Sequence, residues 1–132
     1  IVSTKGRYAL RVLIDLAEQT SGEHIPLKEI AERQNISQKY IEAIMTLLSK
    51  NGYVDAVHAK GGGYKLNRKP EEYIVGDILR LTEGTLSPVA CLEKGAAPCP
   101  RKNTCRTLPL WSKLDELVEN YLDSVNLADL LK

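Results

Sequence analysis

Three consecutive glycines, residues 61–63, separate two short stretches of β-forming residues in the middle of the chain. Residues 53–57 and 63–66 flank a turn, and this pattern predicts a β-hairpin. A nucleotide-binding loop is excluded, because such a loop leads into a helix that carries Lys-Ser or Lys-Thr, whereas Tyr64 continues as strand. The glycines either form a plain tight turn or let the hairpin tip approach a DNA backbone closely.

The residues before this hairpin contain three helical patterns. Apolar residues recur at helical spacing over residues 5–20, and Pro26 opens a short second pattern. Asn35 can adopt the left-handed conformation that a tight inter-helix turn needs. Ser37 can cap a third helix that runs to about Lys50. The order of helix, short turn, helix and hairpin predicts a winged helix-turn-helix.

Two further helical patterns follow the hairpin. Residues 75–81 predict a short helix that stops at Gly84, and residues 108–125 predict a longer one. The long helix carries a broad apolar stripe, which belongs either to an ordinary core helix or to an antiparallel partner helix in a symmetric dimer. We predict a mainly α fold with a small β-hairpin wing and a long C-terminal dimerisation helix. Its predicted parts are a winged helix-turn-helix DNA-binding domain over 1–84, a cysteine-containing loop over 85–107, and a dimerisation helix and tail over 108–132.

The charges and the sparse functional motifs limit the class of protein. Residues 1–69 carry 11 Lys and Arg against 7 Asp and Glu, a net charge of +4, whereas residues 70–132 carry 7 against 10, a net charge of −3. A basic first half is compatible with a surface that faces DNA. No apolar run could cross a bilayer and no signal peptide opens the chain, so we expect a cytoplasmic protein without membrane contact. No nucleophile motif is recognisable, which argues against an enzyme.

The polar face of the third helix offers groups that can read DNA. Gln38 can pair with adenine, Glu42 can accept from the cytosine amino group, and Lys39 beside the helix N-terminus can bind phosphate. A polar helix face alone is usually just solvated, but the short turn before it and the wing behind it favour a recognition helix. The predicted DNA contacts are Ser37, Gln38, Lys39, Tyr40 and Glu42 on this helix and His58, Lys60, Gly61 and Gly62 at the wing tip.

All three cysteines fall within fifteen residues, in a segment that one glycine and two prolines keep from forming a helix. An odd number of cysteines in a reducing compartment favours ligation or redox chemistry over disulfides. The spacing lacks the Cys-x-x-Cys pair of most structural zinc sites, and basic neighbours favour the thiolate form. We expect Cys91, Cys99 and Cys105 to bind an iron–sulfur cluster, with a single metal ion or redox-active or inert thiols as alternatives.

Four stretches of the chain form a combined pattern: Ser3 to Leu10, Ile36 to Glu42, Gly61 to Tyr64, and Gly76 to Ile78 with Glu83 and Gly84. Together they resemble the Rrf2 family of bacterial winged-helix regulators. The resemblance covers nearly the whole chain. It implies a homodimeric regulator, a repressor, whose recognition helices enter successive major grooves of a pseudo-palindromic operator in double-stranded DNA. It adds Ser3, Thr4, Arg7 and Tyr64 to the predicted DNA contacts, and it gives His58 the position of an arginine that enters the minor groove.

The resemblance also implies two modes of control. Some members bind a cluster through a similar three-cysteine loop, and their fourth ligand is a histidine at the position of Leu108 or an aspartate at the position of Arg7. This chain has neither, so the fourth ligand is unassigned: an outside molecule, a hydroxyl such as that of Thr107, or a residue of the other subunit. The cluster type is open, and the isolated protein can lack the cluster. Other members are controlled by a partner enzyme of cysteine synthesis with the cysteines incidental, and residues 124–130 resemble that branch.

Overall fold

The computed structural model describes residues 2–19, 21–59 and 62–131. Within them, the elements are α1 Thr4–Glu18, α2 Leu27–Gln34, α3 Gln38–Lys50, β1 Val54–Val57, β2 Gly63–Leu66, α4 Val75–Glu83 and α5 Leu108–Asp123, with short 3-10 turns at Pro70–Glu72, Ala90–Leu92 and Leu127–Leu131. The predicted mainly α fold with a hairpin wing is confirmed. None of the described helices has the length and apolarity needed to cross a membrane.

Local signals at both ends of a short turn fix the helix-turn-helix. Asn35 ends α2 in the left-handed conformation, with φ 53° and ψ 48°. Ile36 then points into the core and is 8% exposed. The Ser37 hydroxyl oxygen accepts a hydrogen bond from the Tyr40 N–H at 3.2 Å and so caps α3. Because adjacent residues end one helix and start the next, the turn sets the angle between α2 and α3.

One hydrophobic core joins α1, α2 and α3 to the hairpin. Its fully buried side chains include Val12, Leu13, Ile30, Ile41, Ile44, Met45 and Leu48. Among the described residues, Asp15 is the one charged side chain inside this core, and it is 2% exposed. A buried carboxylate is costly unless it is paired and hydrogen-bonded, so its partners determine how α1 and α2 are joined.

The partners of Asp15 come from the end of α2. The Nε and Nη2 atoms of Arg33 donate to the Asp15 carboxylate at 2.8 to 3.3 Å, and the side-chain amide of Gln34 donates at 2.9 Å. The hydrogen bond to Asp15 is the main reason that the pKa of Arg33 is raised above its usual value. Two neighbouring residues of α2 thus satisfy the one buried carboxylate of α1.

The hairpin is held against the head by backbone pairing. β1 and β2 are antiparallel, with Val54 opposite Leu66. Ile25 extends the sheet, because its N–H donates to the Tyr64 carbonyl at 2.8 Å and its carbonyl accepts from the Tyr64 N–H at 2.9 Å. A Cβ on Gly63, where φ is 156°, would lie 2.2 Å from the Ile25 carbonyl oxygen. Glycine is therefore required at this position for the wing to pair with the head.

Helix α5 packs on α4 through one of its faces. Val118 and Leu122 on this face, with Val125 just after the helix, lie against a small cluster formed by Val75, Leu79 and Leu86. Arg80 of α4 adds salt bridges to Glu119 and to Asp123, the latter at 2.8 Å. Apolar packing and ion pairs together fix the direction of α5 relative to the head.

After α5 the chain returns to the head. The Val125 carbonyl accepts from the Val75 N–H, and the Leu127 N–H donates to the Tyr73 carbonyl, both at 2.9 Å. Leu127 is 1% exposed and lies in the main core with residues of α1 and α3. The tail placed by sequence with the dimerisation helix therefore completes the core of the predicted DNA-binding domain.

The buried carboxylate of Asp15 generates a stability prediction. Asp15→Ala leaves Arg33 and Gln34 without their partner, and we expect a loss on the order of 2 kcal/mol in the free energy of unfolding, measured by urea denaturation at fixed protein concentration. This is less than the ~3–5 kcal/mol typical of a fully buried pair, because the Arg33 side chain is 35% exposed. The matched control is Glu29→Ala, which removes an exposed partner of the same arginine and should cost below about 0.5 kcal/mol. Equal effects of the two changes would contradict the assigned role of Asp15.

Candidate nucleic-acid interface and cysteine pocket

The first turns of α3 present the predicted DNA-reading groups to solvent. Ser37, Gln38, Lys39 and Glu42 are exposed, and Tyr40 is 38% exposed although its ring is large and apolar. The α3 N-terminus also carries backbone N–H groups without partners inside the helix. One exposed surface thus contains hydrogen-bond donors and acceptors, one cation and the positive end of a helix dipole. Recognition of bases and phosphates requires groups of these kinds.

This surface is extended by Tyr8 and Arg11 of α1, which the sequence analysis did not single out. The Tyr8 ring meets Tyr40 edge to face, with 5.6 Å between the ring centroids. The guanidinium groups of Arg7 and Arg11 lie 6.0 and 5.1 Å from the centre of the Tyr8 ring. Arg11 also donates to the side-chain oxygen of Gln34 at 3.1 Å. The spacing of Arg7 and Arg11, four residues apart on one helix, was the sequence signal for this pair of cations.

The predicted contacts at the start of α1 have partners within the protein. The Ser3 hydroxyl oxygen accepts from the Gly6 N–H at 3.2 Å, which caps α1. The backbone N–H and the hydroxyl of Ser3 both donate to the Glu83 carboxylate, at 2.7 and 2.8 Å. Thr4 accepts from Arg7 at 3.2 Å. Ser3 and Thr4 are exposed, but the donors of Ser3 are already used to hold α1 to the end of α4.

The wing tip is only partly described. His58 and Ala59 are exposed, and the Gly62 N–H donates to the Ala59 carbonyl at 2.8 Å, which closes the turn. A Cβ on Gly62 would lie 2.2 Å from the Val57 carbonyl oxygen. The packing of the turn therefore requires glycine at this position, whether or not the turn contacts DNA. The other two predicted tip contacts, Lys60 and Gly61, lie outside the described residues.

Tyr64, another of the predicted DNA contacts, has its side chain in the core. Its side chain is 9% exposed and packs in the main core. Burial raises the pKa of its phenol, and the nearby Glu42 carboxylate contributes to the rise. Because β2 pairs with Ile25 at this residue, the ring is turned inward. The Tyr64 side chain therefore anchors the wing in the head, and a contact of this residue with DNA stays a prediction.

The three cysteines line a single cavity of about 420 Å³ between the loop and the start of α5. Cys91 and Cys99 are exposed, and Cys105 is half-buried. Lys102, Leu108 and Ser112 line the same cavity. Within residues 2–19, 21–59 and 62–131, no three His, Cys, Asp or Glu side chains are grouped closely enough to bind one metal ion. The three cysteines thus line one cavity, and the group that they bind there stays a prediction.

Cys105 has the most polar surroundings of the three thiols. Its sulfur lies 3.4 Å from the Thr107 hydroxyl oxygen, at the N-terminus of α5. This side-chain hydrogen bond, followed by the Thr107 and Leu108 backbone N–H groups and the charge of Arg101, lowers the pKa of the Cys105 thiol. The thiolate form is thus favoured, and the thiolate is the form that reacts with electrophiles and binds metals.

Helix α5 has a second apolar face that the described part of this chain leaves open. The exposed fractions are 58% for Leu110, 38% for Leu114, 54% for Leu117 and 67% for Tyr121. These residues follow one another at intervals of four, three and four, which places them in one stripe along the helix. The stripe is distinct from Val118, Leu122 and Val125, which pack on α4.

Comparison with known proteins decides the family. The Rrf2 family model, described as an iron-dependent transcriptional regulator, matches residues 2–132. The chain belongs to the Rrf2 family. It is 36% identical over 131 residues to the protein named rrf2 of Nitratidesulfovibrio vulgaris. The aligned region covers 99% of this chain and 87% of that relative.

Solved structures agree with this assignment. CymR of B. subtilis, titled the global cysteine regulator, is 36% identical, with a TM-score of 0.78 over 99% of this chain and 95% of that chain. IscR of T. potens is 37% identical, with a TM-score of 0.76 over 99% and 85%. The resemblance found in the sequence is confirmed, and so is the expectation that the protein is a transcriptional regulator and not an enzyme. Binding to DNA is implied by the family.

The surroundings of Cys105 generate a prediction on its reactivity. Because its pKa is lowered, we expect Cys105 to be alkylated by iodoacetamide at a lower pH, and faster at pH 7, than Cys91 or Cys99. Thr107→Val removes the hydroxyl that favours the thiolate and should move the pH profile of Cys105 upward. The measurement is the alkylated fraction of each cysteine peptide by mass spectrometry between pH 6 and 10. Overlapping profiles for the three cysteines, unchanged in Thr107→Val, would count against this account.

Proposed function

We propose that the protein is a homodimeric, cytoplasmic repressor that binds double-stranded DNA and whose affinity for the operator depends on a group held by its three-cysteine loop. The observation that carries the proposal is the exposed N-terminal surface of α3, mounted on a winged helix-turn-helix whose family consists of transcriptional regulators. The reading of bases, the assembly of the dimer and the cysteine chemistry are supported by separate features of the structure.

In the proposed complex, α3 enters the major groove. Gln38 pairs with adenine, and Glu42 accepts from the cytosine amino group. Lys39, Arg7 and Arg11 contact phosphates and fix the position of the helix without reading sequence. At the wing, His58 with Lys60, Gly61 and Gly62 follows the minor groove.

The open apolar stripe of α5 supports the dimer. Four large exposed side chains in one stripe, Leu110, Leu114, Leu117 and Tyr121, are the kind of surface that a monomer in water seldom leaves uncovered. A second copy of α5 laid antiparallel across the stripe satisfies a two-fold axis, because the same residues then meet on both sides. The resulting dimer presents two recognition helices, and its operator is a pseudo-palindrome with half-sites about 34–36 Å apart or a multiple of this distance.

The donor set of the cavity fits an iron–sulfur cluster. Cys91, Cys99 and Cys105 supply three thiols, the ligand type that holds such clusters, and Lys102 lies beside them to offset negative charge. When bound, a cluster supplies a redox-active iron centre. The loop leaves α4 at Gly84 and enters α5 at Leu108, so drawing the three thiols together pulls on both helices. Two loop states that bind DNA differently are sufficient for regulation by population shift.

A second candidate is a regulator that responds to a partner enzyme of cysteine synthesis. It is supported by the likeness to CymR and by the C-terminal tail. Asn126 and Asp129 bond reciprocally at 3.0 and 3.1 Å, and Leu130 and Leu131 remain exposed beyond them. In this model, the tail is the surface that a partner contacts and the cysteines are incidental. Wild-type protein that takes up neither iron nor sulfide under anaerobic conditions would favour it.

The proposed reading of DNA is tested after a preferred sequence has been selected from random duplexes with the wild-type protein. We expect Gln38→Ala to lose about 1–3 kcal/mol on that sequence, roughly 5- to 150-fold in affinity, and to relax the preference at one base of each half-site. Lys39→Ala should weaken binding to all sequences and reduce the slope of log K against log salt by about 1 per subunit. The control is Thr46→Ala, an exposed change farther along α3 that should leave both quantities unaltered. Fluorescence anisotropy at several salt concentrations supplies both readouts, and unchanged specificity in Gln38→Ala would remove α3 from the reading role.

The proposed dimer is tested by introducing charge on the open stripe of α5. In Leu117→Glu the symmetry buries two unpaired carboxylates, so we expect the dimer dissociation constant to rise by at least about a hundredfold. Because Leu117 is 54% exposed in the single chain, the monomer should remain folded by circular dichroism. Glu116→Gln, at an exposed neighbour outside the stripe, should dimerise as the wild type does in sedimentation equilibrium. A Leu117→Glu protein that still sediments as a dimer would place the interface elsewhere.

A further inference from the structure

The cysteine cavity contains three thiols, and Leu108 stands where the family resemblance implies a histidine ligand. The following inference rests on the proposed cluster and concerns its remaining protein ligand. Leu108 lines the cavity with an apolar side chain that cannot bind metal. A fourth donor supplied by this chain must therefore come from another residue that faces the same cavity.

The side chains around the cavity leave one candidate. Apart from the cysteines, only Lys102 and Ser112 among its lining residues carry a side-chain nitrogen or oxygen. The ammonium group of Lys102 has three donors and no lone pair, so it can pair with a negative charge but cannot bind iron. The Ser112 hydroxyl has lone pairs and is exposed at the cavity.

The position of Ser112 on α5 explains how its hydroxyl can replace a metal-binding group at the position of Leu108. It follows Leu108 by four residues, and residues at this spacing lie above one another on the same side of a helix. Both side chains line the cavity, so replacing a donor at one position by a donor one turn later keeps it on the same wall. The exchange moves the donor about 6 Å along the helix and about 40° around it, so the donor stays on the same side of α5.

Two other oxygen donors near the loop face elsewhere. Thr107 contacts the Cys105 sulfur at 3.4 Å but does not line the cavity, so its hydroxyl tunes that thiol. Asp115 belongs to a separate cleft on the other side of the loop, with Arg80, Lys94 and Glu119. Neither of them shares the space that the three thiols enclose.

We propose that the Ser112 hydroxyl is the fourth protein ligand of the three-cysteine site. On binding, the Fe–O bond forms as the hydroxyl proton passes to water, which reaches this exposed residue. An alkoxide is a harder donor than a thiolate, so it favours the oxidised state of the iron that it binds. An iron held through this oxygen would differ from iron held by thiolates alone, and a competing ligand or a proton would displace the Ser112 oxygen more readily than a thiolate.

The test compares four full-length proteins: wild type, Ser112→Ala, Ser112→Cys and Thr107→Ala. Each is reconstituted anaerobically with ⁵⁷Fe and sulfide, and the iron and sulfide content, the Mössbauer spectrum and the rate of iron loss to a chelator are measured. We expect one distinct iron site in the wild type that changes in Ser112→Ala, with iron loss at least about tenfold faster. Ser112→Cys should restore a slow loss of iron, with a spectrum in which the distinct site becomes thiolate-like. Thr107→Ala should retain the distinct site of the wild type.

The outcomes separate this inference from the proposed function. If the wild type binds iron and sulfide and Ser112→Ala is identical to it in spectrum and iron loss, Ser112 is not a ligand while the cluster proposal stands. If the distinct iron site changes in Thr107→Ala but not in Ser112→Ala, the ligand is Thr107 and the inference is overturned. Wild-type protein that takes up no iron or sulfide would overturn both proposals. Circular dichroism of the four proteins before reconstitution shows that any loss of iron binding does not arise from unfolding.

Discussion

The carboxylate of Asp15 determines how the first two helices meet, and the interface that we propose for DNA depends on that junction. Gln34 donates its amide N–H to Asp15 at 2.9 Å and accepts from Arg11 at 3.1 Å through its amide oxygen. Arg11 lies over the ring of Tyr8, which in turn meets the ring of Tyr40 on α3. An unbroken series of contacts therefore runs from a buried charge to an exposed side chain of the recognition helix. Because a buried carboxylate tolerates few alternative partners, it specifies one packing of α1 on α2 and so one position for the exposed end.

Helix α5 has two faces with different surroundings: one packs on α4, and the other carries the open apolar stripe. Its inner face combines apolar packing with the salt bridges of Arg80, which fix both the rotation and the direction of the helix on α4. The tail then returns to the core through Leu127, so α5 is held at its C-terminal end by backbone hydrogen bonds and by a buried side chain. The same anchoring holds the C-terminal part of the open apolar stripe, Leu117 and Tyr121, in place for a partner helix. Our proposal places any movement of α5 at its N-terminal end, where the cysteine loop enters.

Sequence reasoning succeeded where the signal was local. The left-handed Asn35, the cap at Ser37, the wing strands and the stop at Gly84 depend on the conformational preferences of a few adjacent residues, and the structure confirms each of them. It did not predict that the Tyr64 side chain is buried, because the strand pattern does not indicate which side of the wing packs on the head. Tyr8 and Arg11 were overlooked for a similar reason, since their role arises from contacts with α2 and α3 that lie far along the chain.

The cysteine loop shows how local and distant information combine. Its spacing predicted a shared thiol site, and one cavity lined by Cys91, Cys99 and Cys105 agrees with that prediction. The spacing could not indicate a fourth donor, because that donor depends on which side of α5 faces the loop. Once the helix is placed, Leu108 and Ser112 are seen to share that side, and the missing donor at the first position has a hydroxyl one turn away. If the exposed Ser112 hydroxyl binds the cluster as we propose, loss of this single bond would release the loop where it enters α5. Detection of a signal and the change in DNA affinity would then begin at the same residue.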